Sequence, residues 1–101
     1  MYELQKIKAL FIRLEKIIQT NDYKKYKLQI QIIEDIVECI NSDITTDEKT
    51  VYVTKNYKKL YPKEGGLSDF YIHDDNYKKR LEKNKELSKI TDDIWKIIKK
   101  C

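Results

Sequence analysis

Residues that break regular structure are what this chain has least of. It carries two glycines, Gly65 and Gly66, and one proline, Pro62, in 101 residues. A sandwich or barrel of short strands needs turn residues about every 8–12 positions, so this shortage favours long helices over such folds. Cysteine is almost as scarce. Cys39 and Cys101 are too few for the disulfide framework of a small secreted domain. Cys39 falls on the apolar side of an expected helix, where a thiol packs as a small hydrophobe. Arginine is confined to Arg13 and Arg80 among 21 basic residues. Phosphate and guanine recognition favours the planar Arg fork. A Lys-rich surface offset by 17 acids therefore reads as solvated, and counts against nucleic acid as a partner. No apolar run approaches the ~20 residues that span a bilayer. The N-terminal stretch MYELQKIKALFIRLEKII is interrupted by charge every few positions, unlike a secretory leader. No membrane partner and a cytoplasmic location are the expectations.

What is present is enough for a core. Hydrophobic residues make up 41% of the chain and charged residues 38%. A chain of this length buries roughly two-thirds of its unfolded surface without metal or disulfide. The expected fold is all-α: one domain over residues 1–101, built as a compact bundle of four to five helices with a structured Gly-Gly loop at about 60–76. Leu4, Ile7, Leu10, Phe11, Leu14, Ile17 and Ile18 recur at steps of three and four, predicting a first helix over 3–19. Thr20-Asn21-Asp22 should end it and offer Asp22 as the next N-cap. Ile32, Ile33, Ile36, Val37 and Ile40 predict a second helix over 23–41, antiparallel to the first because the connection is short.

A third helix is expected over 46–60. Thr45 and Glu48 have capping-box spacing, and Val51, Val53, Tyr57 and Leu60 then give a stripe. Thr50 to Thr54 also alternates as a strand would, but a lone strand has no partner here, so helix is the choice. Tyr61-Pro62 stops it. Ser68 or Asp69 could cap a short turn through Phe70, Tyr71 and Ile72, and Asp74 or Asp75 a helix from Asn76. In the last stretch, Tyr77 and Leu81 lie out of phase with Leu87, Ile90, Ile94, Trp95 and Ile98. That mismatch predicts a bend near Asn84–Lys85. Lys96, Lys99 and Lys100 complement the final turn.

The segment from Leu60 to Asn76 concentrates Pro62, Gly65, Gly66 and the only histidine, His73. Leu60-Tyr61-Pro62, then Gly65-Gly66-Leu67-Ser68-Asp69-Phe70-Tyr71-Ile72, then Asp75 and Arg80, resembles a family of small bacterial helical proteins of unknown function. Glu64 and His73 stand where that family's pattern has Arg and Trp. The resemblance implies a helical fold and transfers no catalytic residue. Some uncharacterised families of this size are antitoxins or toxin-immunity proteins. The plainer physical reading of the segment is a loop that closes the core, pinned by Leu67, Phe70 and Ile72. As a recognition loop it would use Lys63, Glu64, Asp69, His73, Asp74 and Asp75.

Catalysis finds little support. His73-Asp74-Asp75 lacks the spaced ligands of a zinc site. Gly65-Gly66 lacks the lysine and hydroxyl of a phosphate loop. There is no nucleophile elbow. No enzyme activity, metal or cofactor is expected.

Charge is more telling. Glu34, Asp35, Glu38, Asp43, Asp47 and Glu48 fall between residues 34 and 48 without one Lys or Arg, whereas Lys78 to Lys100 holds nine bases against four acids. A solvated helix edge is the bland account. The sharper one is that these six acids, with Asp69, His73, Asp74 and Asp75, dock a basic protein, as an inhibitor occupies a nuclease toxin's positive cleft. A small bacterial immunity protein or antitoxin acting on a toxin domain is the expectation. Two others compete with it. One is nucleic-acid binding by the Lys-rich C-terminal helix, helped by Lys24, Lys25 and Lys27 near Tyr23 and Tyr26. The other is an oligomerising subunit using Tyr57, Leu60, Tyr61 and Trp95. The oligomeric state is not written in the pattern. Nucleic-acid binding predicts a salt-sensitive mobility shift of duplex DNA; free DNA at low salt disposes of it.

Overall fold

The structure is a computed structural model and describes residues 3–62 and 66–99. The expectations placed on Lys63, Glu64, Gly65, Lys100 and Cys101 lie outside the described residues. Among the described residues four helices follow one another: α1 (Leu4–Asp22), α2 (Lys27–Asn41), α3 (Thr46–Leu60) and α4 (Tyr77–Ile98), with a 3-10 turn at Gly66–Asp69 before α4. Among the described residues there is no strand, and the all-α expectation is met.

Consecutive helices alternate in direction. Lys8 Nζ donates to Asn41 Oδ1 at 2.9 Å, pairing the start of α1 with the end of α2. Glu48 and Lys49, at the start of α3, act on Cys39 near the end of α2. Arg13 reaches Glu86 at 3.5 Å across α1 and α4, and Tyr57 of α3 meets Trp95 of α4. α1 packs on both α2 and α4, and α3 packs on α2. The result is an up-down-up-down bundle 46 Å long and 24 × 23 Å across.

Ile7, Phe11 and Ile18 are 0% exposed, so the stripe read from α1 is the centre of the core. Ile33 and Ile36 of α2, Val53 and Leu60 of α3, and Ile90 and Ile94 of α4 close around it. Val51 is an exception, pointing to solvent from the stripe that was to include it.

Several boundaries differ from expectation, each for a tertiary reason. α1 does not stop at Thr20. Thr20 Oγ1 donates to Lys16 O at 2.8 Å and Asn21 Nδ2 to Ile17 O at 2.7 Å, so these polar side chains bond back into the helix they were to end. Asp22 is consequently helical and does not cap α2. α2 starts only at Lys27, with Tyr26 at its N-cap and no side-chain cap. Tyr26 is 4% exposed and packs edge-on against Phe70, ring centroids 5.1 Å apart. That burial sets where α2 enters. α3 starts where the capping box places it, since Glu48 N donates to Thr45 Oγ1 at 3.1 Å. The second half of the box differs. Glu48 Oε1 accepts from the Thr45 hydroxyl at 3.2 Å.

The expected bend at Asn84–Lys85 is absent, and α4 runs unbroken for 22 residues. Asn84 explains the phase mismatch. Ile72 N donates to Asn84 Oδ1 at 2.9 Å, and Asn84 Nδ2 donates to Ile72 O at 2.8 Å. This amide clasps the backbone of the incoming segment as a strand neighbour would, so α4 needs no apolar side chain there. Tyr77 and Leu81 are exposed instead, at 65% and 50%. The expected carboxylate caps are replaced as well. Asn76 is the N-cap, accepting from Lys79 N at 3.0 Å, while Asp74 Oδ1 accepts from Asn76 N at 2.8 Å. The short turn also comes earlier than expected, ending at Asp69. Gly66 has φ +67°, and a Cβ there would lie 2.6 Å from Leu60 O. Glycine is required at that position.

Asn84→Ala leaves the Ile72 N–H and C=O without protein partners, and Ile72 is 2% exposed. The expected loss is about 1–3 kcal/mol of unfolding free energy in urea titrations. Lys85→Ala beside it, on the exposed face, should stay within about 0.5 kcal/mol of the parent.

Candidate functional site

The acidic half of α2 and the acidic start of α3 meet at the connection Ser42–Thr45. Two open recesses lie side by side there. One, about 400 Å³, is lined by Asp35, Glu38, Cys39, Ser42, Ile44 and Tyr52. The other, about 490 Å³, is lined by Ile44, Asp47, Glu48, Val51, Tyr52 and Lys55. Ile44 and Tyr52 form the ridge between them. Ile44 is 41% exposed, Val51 68% and Tyr52 36%, so the acids rim an apolar surface.

The electrostatics agree with this geometry. Burial pushes the Tyr52 hydroxyl above its ordinary value, and Asp35, Cys39 and Glu38 add to the effect. The Cys39 thiol, only partly buried, is likewise raised, first by burial and then by Glu48, with Lys49 opposing. Such a thiol is a poor nucleophile at neutral pH. Asp47 and Glu48 sit in the first turn of α3, where negative charge is favoured by the helix dipole. Glu38 is different. It stands near the C-terminal end of α2, whose last turn has no base, and a carboxylate there opposes the dipole. The helix gains nothing from that charge.

The remaining candidates are spread over the molecule. Glu34 turns toward α1, where its carboxyl hydrogen-bonds Glu15. Asp43 is exposed beyond the end of α2. Asp69 closes the 3-10 turn, and His73 lies edge-on to Tyr71 at 5.3 Å. Asp74 is committed to structure. It accepts from Lys83 Nζ at 2.9 Å, and that bond, followed by the Asn76 amide, holds its carboxyl below the usual range. Asp75 is exposed beside it. The Asp69–Asp75 group follows Phe70 to the start of α2, whereas Asp43 and Asp47 lie past its end. Fifteen residues of α2 separate the two groups by about 22 Å. The ten candidates thus do not form one surface: Asp35, Glu38, Asp47 and Glu48 share one, and the loop acids stand at the far end.

Sequence reasoning missed Ile44, Val51 and Tyr52. A signal existed, because Val51 and Tyr52 cannot share a helix face with both Val53 and Leu60. A second groove, about 660 Å³, opens between α3 and α4 and includes Tyr57, Tyr61, Lys89, Asp93 and Lys96. Tyr57 stacks on Trp95, centroids 6.4 Å apart, and Asp92 pairs with Lys96 at 3.0 Å. Three of the four residues suggested for an oligomerising stripe meet here; Leu60 is buried at 0% exposure. Among the described residues no group of three or more His, Cys, Asp or Glu is placed to hold a metal ion, and no helix is long and apolar enough to cross a membrane.

Glu15 supplies a pH test. Burial, then its hydrogen bond and charge interaction with Glu34, raise its carboxyl from 4.5 to about 7. Folding therefore favours the protonated form. The stability this contributes is complete below pH 4.5 and is lost as the pH rises through 7. Unfolding free energy should fall over that interval, and Glu15→Gln should flatten the fall and stabilise the protein above it. An unaltered pH slope in the variant would show that the pair is not responsible.

No family model, curated protein or solved structure matches the chain, so its role is argued from this geometry.

Proposed function

We propose that the protein is a non-catalytic binding module that takes a basic protein partner on the α2–α3 surface. The observation that carries this reading is the exposure of Ile44, Val51 and Tyr52 between Asp35, Glu38, Asp47 and Glu48. Apolar side chains supply buried area and hold the complex together, while the acids steer a positively charged partner and fix its register. In its most specific form the proposal is a cytoplasmic bacterial immunity protein or antitoxin. It would occlude a toxin domain, such as a nuclease with a positive cleft, without chemistry of its own.

The nucleic-acid alternative has less behind it. Lys83 and Lys96 of α4 are already paired with Asp74 and Asp92, and no specific feature of the helix favours phosphate over protein.

The partner to try is the product of the adjacent gene, co-expressed and co-purified. A one-to-one complex is expected. Glu38→Lys with Asp47→Lys should slow association at least about tenfold and flatten its salt dependence. Val51→Asp should speed dissociation instead. Glu34 is left out of this set because reversing it also relieves Glu15. Unchanged kinetics in both variants would rule out the α2–α3 surface.

A further inference from the structure

The two ends of the bundle are complementary to each other. At one end, Asp35, Glu38, Asp47 and Glu48 rim the exposed Ile44, Val51 and Tyr52, with Lys55 also among the lining residues. At the other, residues 77–85 of α4 carry five bases, Lys78, Lys79, Arg80, Lys83 and Lys85, against one acid, Glu82; Lys83 is held by Asp74, and Asp69 and Asp75 of the preceding loop stand at the same end. Tyr77 and Leu81 are exposed among the bases, at 65% and 50%. The Arg80 guanidinium lies 5.3 Å from the Tyr77 ring centroid, which joins the basic and apolar parts into one surface.

These ends cannot meet within one molecule. The first half of α4 lies against the last turns of α1, where Lys83 and Glu86 share a recess with Lys16, Ile17 and Asn21. The acidic surface is at the opposite end, where α2 finishes and α3 begins. The fifteen residues of α2 hold the two ends about 22 Å apart, more than two Debye lengths at physiological salt, where one length is about 8 Å. Each end is therefore electrostatically independent of the other within the chain.

We infer that the basic, apolar first half of α4 docks on the acid-rimmed α2–α3 surface of a second copy of this chain, in a head-to-tail contact. Tyr77 and Leu81 seat against Ile44, Val51 and Tyr52, and the flanking lysines face Glu38, Asp47 and Glu48. Two different surfaces are used, so the contact is heterologous, and each added copy leaves one free end of each kind. Copies add head to tail into an open chain unless the rotation between neighbours closes a ring. The basic partner proposed above would compete for the acidic end and cap the chain. The self-contact goes beyond that proposal and does not require it, since it is read on the protein alone.

The test uses two charge-altering variants at exposed positions. Val51→Lys with Glu38→Lys spoils the acidic end, and Leu81→Ser with Lys78→Ser spoils the basic end without making it attractive to the reversed one. Circular dichroism melts matching the parent confirm that both fold. In sedimentation velocity, the parent should gain mass with concentration at about 0.01 M salt and return to monomer at about 1 M. Each variant alone should remain monomeric. Mixed together, they should stop at a one-to-one heterodimer, because only one intact end of each kind is present. A monomeric parent at low salt would overturn the inference. So would continued assembly of either variant alone, or a mixture that stays monomeric. None of these outcomes bears on binding of a foreign basic partner, which the kinetic comparison of Glu38, Asp47 and Val51 variants tests separately.

Discussion

Ile7, Phe11, Leu14 and Ile18 of α1 are almost wholly withdrawn from solvent, and their stripe is the wall on which α2 and α4 both pack. Truncating one such side chain to Ala removes its transfer energy and leaves a cavity, a cost of about 2–5 kcal/mol. The rest of the architecture follows from that wall. α3 reaches the core through α2, contributing Val53 and Leu60. The seam between α3 and α4 is left to side chains, with Tyr57 stacked on Trp95 and tilted against Tyr61. A groove there is the geometric consequence of three tight seams and one loose one.

The connection from α3 to α4 has to cross the end of the bundle, and its described residues do so with one short 3-10 turn, Gly66–Asp69. Pro62 follows the end of α3, Gly66 turns the chain through positive φ, and Leu67, Phe70 and Ile72 bury themselves in the core. Asn84 then supplies the hydrogen bonds that the Ile72 backbone would otherwise lack. A buried peptide group without a partner costs more than the bond itself contributes. Asn84 therefore holds the connection on the bundle, and the polar residues after it serve mainly as caps and ion pairs.

Charge is arranged by a different logic. Most of it stabilises helices locally, as Asp47 and Glu48 do at the start of α3 and Lys96 does with Asp92 in α4. Two placements run against stability. Glu15 and Glu34 are brought together between α1 and α2 so that one holds its proton to about 7, and Glu38 sits near the wrong pole of α2. Natural sequences break local rules where something other than stability is selected. Of the two, Glu38 belongs to the α2–α3 surface.

Features that depend on neighbours a few residues away were legible in the chain. The α3 boundaries and the Thr45–Glu48 cap are contacts within one turn. The stripes on α1 and α2 declare a helix period that any helical partner would satisfy. Scarce breakers favoured helices over a sheet. What lay beyond reading depends on what stands opposite. Tyr26 rather than Asp22 marks the entry to α2 because Phe70, forty-four positions away, covers its ring. Asn84 looks like a flaw in an apolar stripe until the Ile72 backbone is seen beside it. Val51 looks like core until it is seen exposed beside Asp47, Glu48 and Tyr52. The ten candidate residues could not be sorted into one surface or two, because residue order carries no distance between groups joined by a helix and separated by its length.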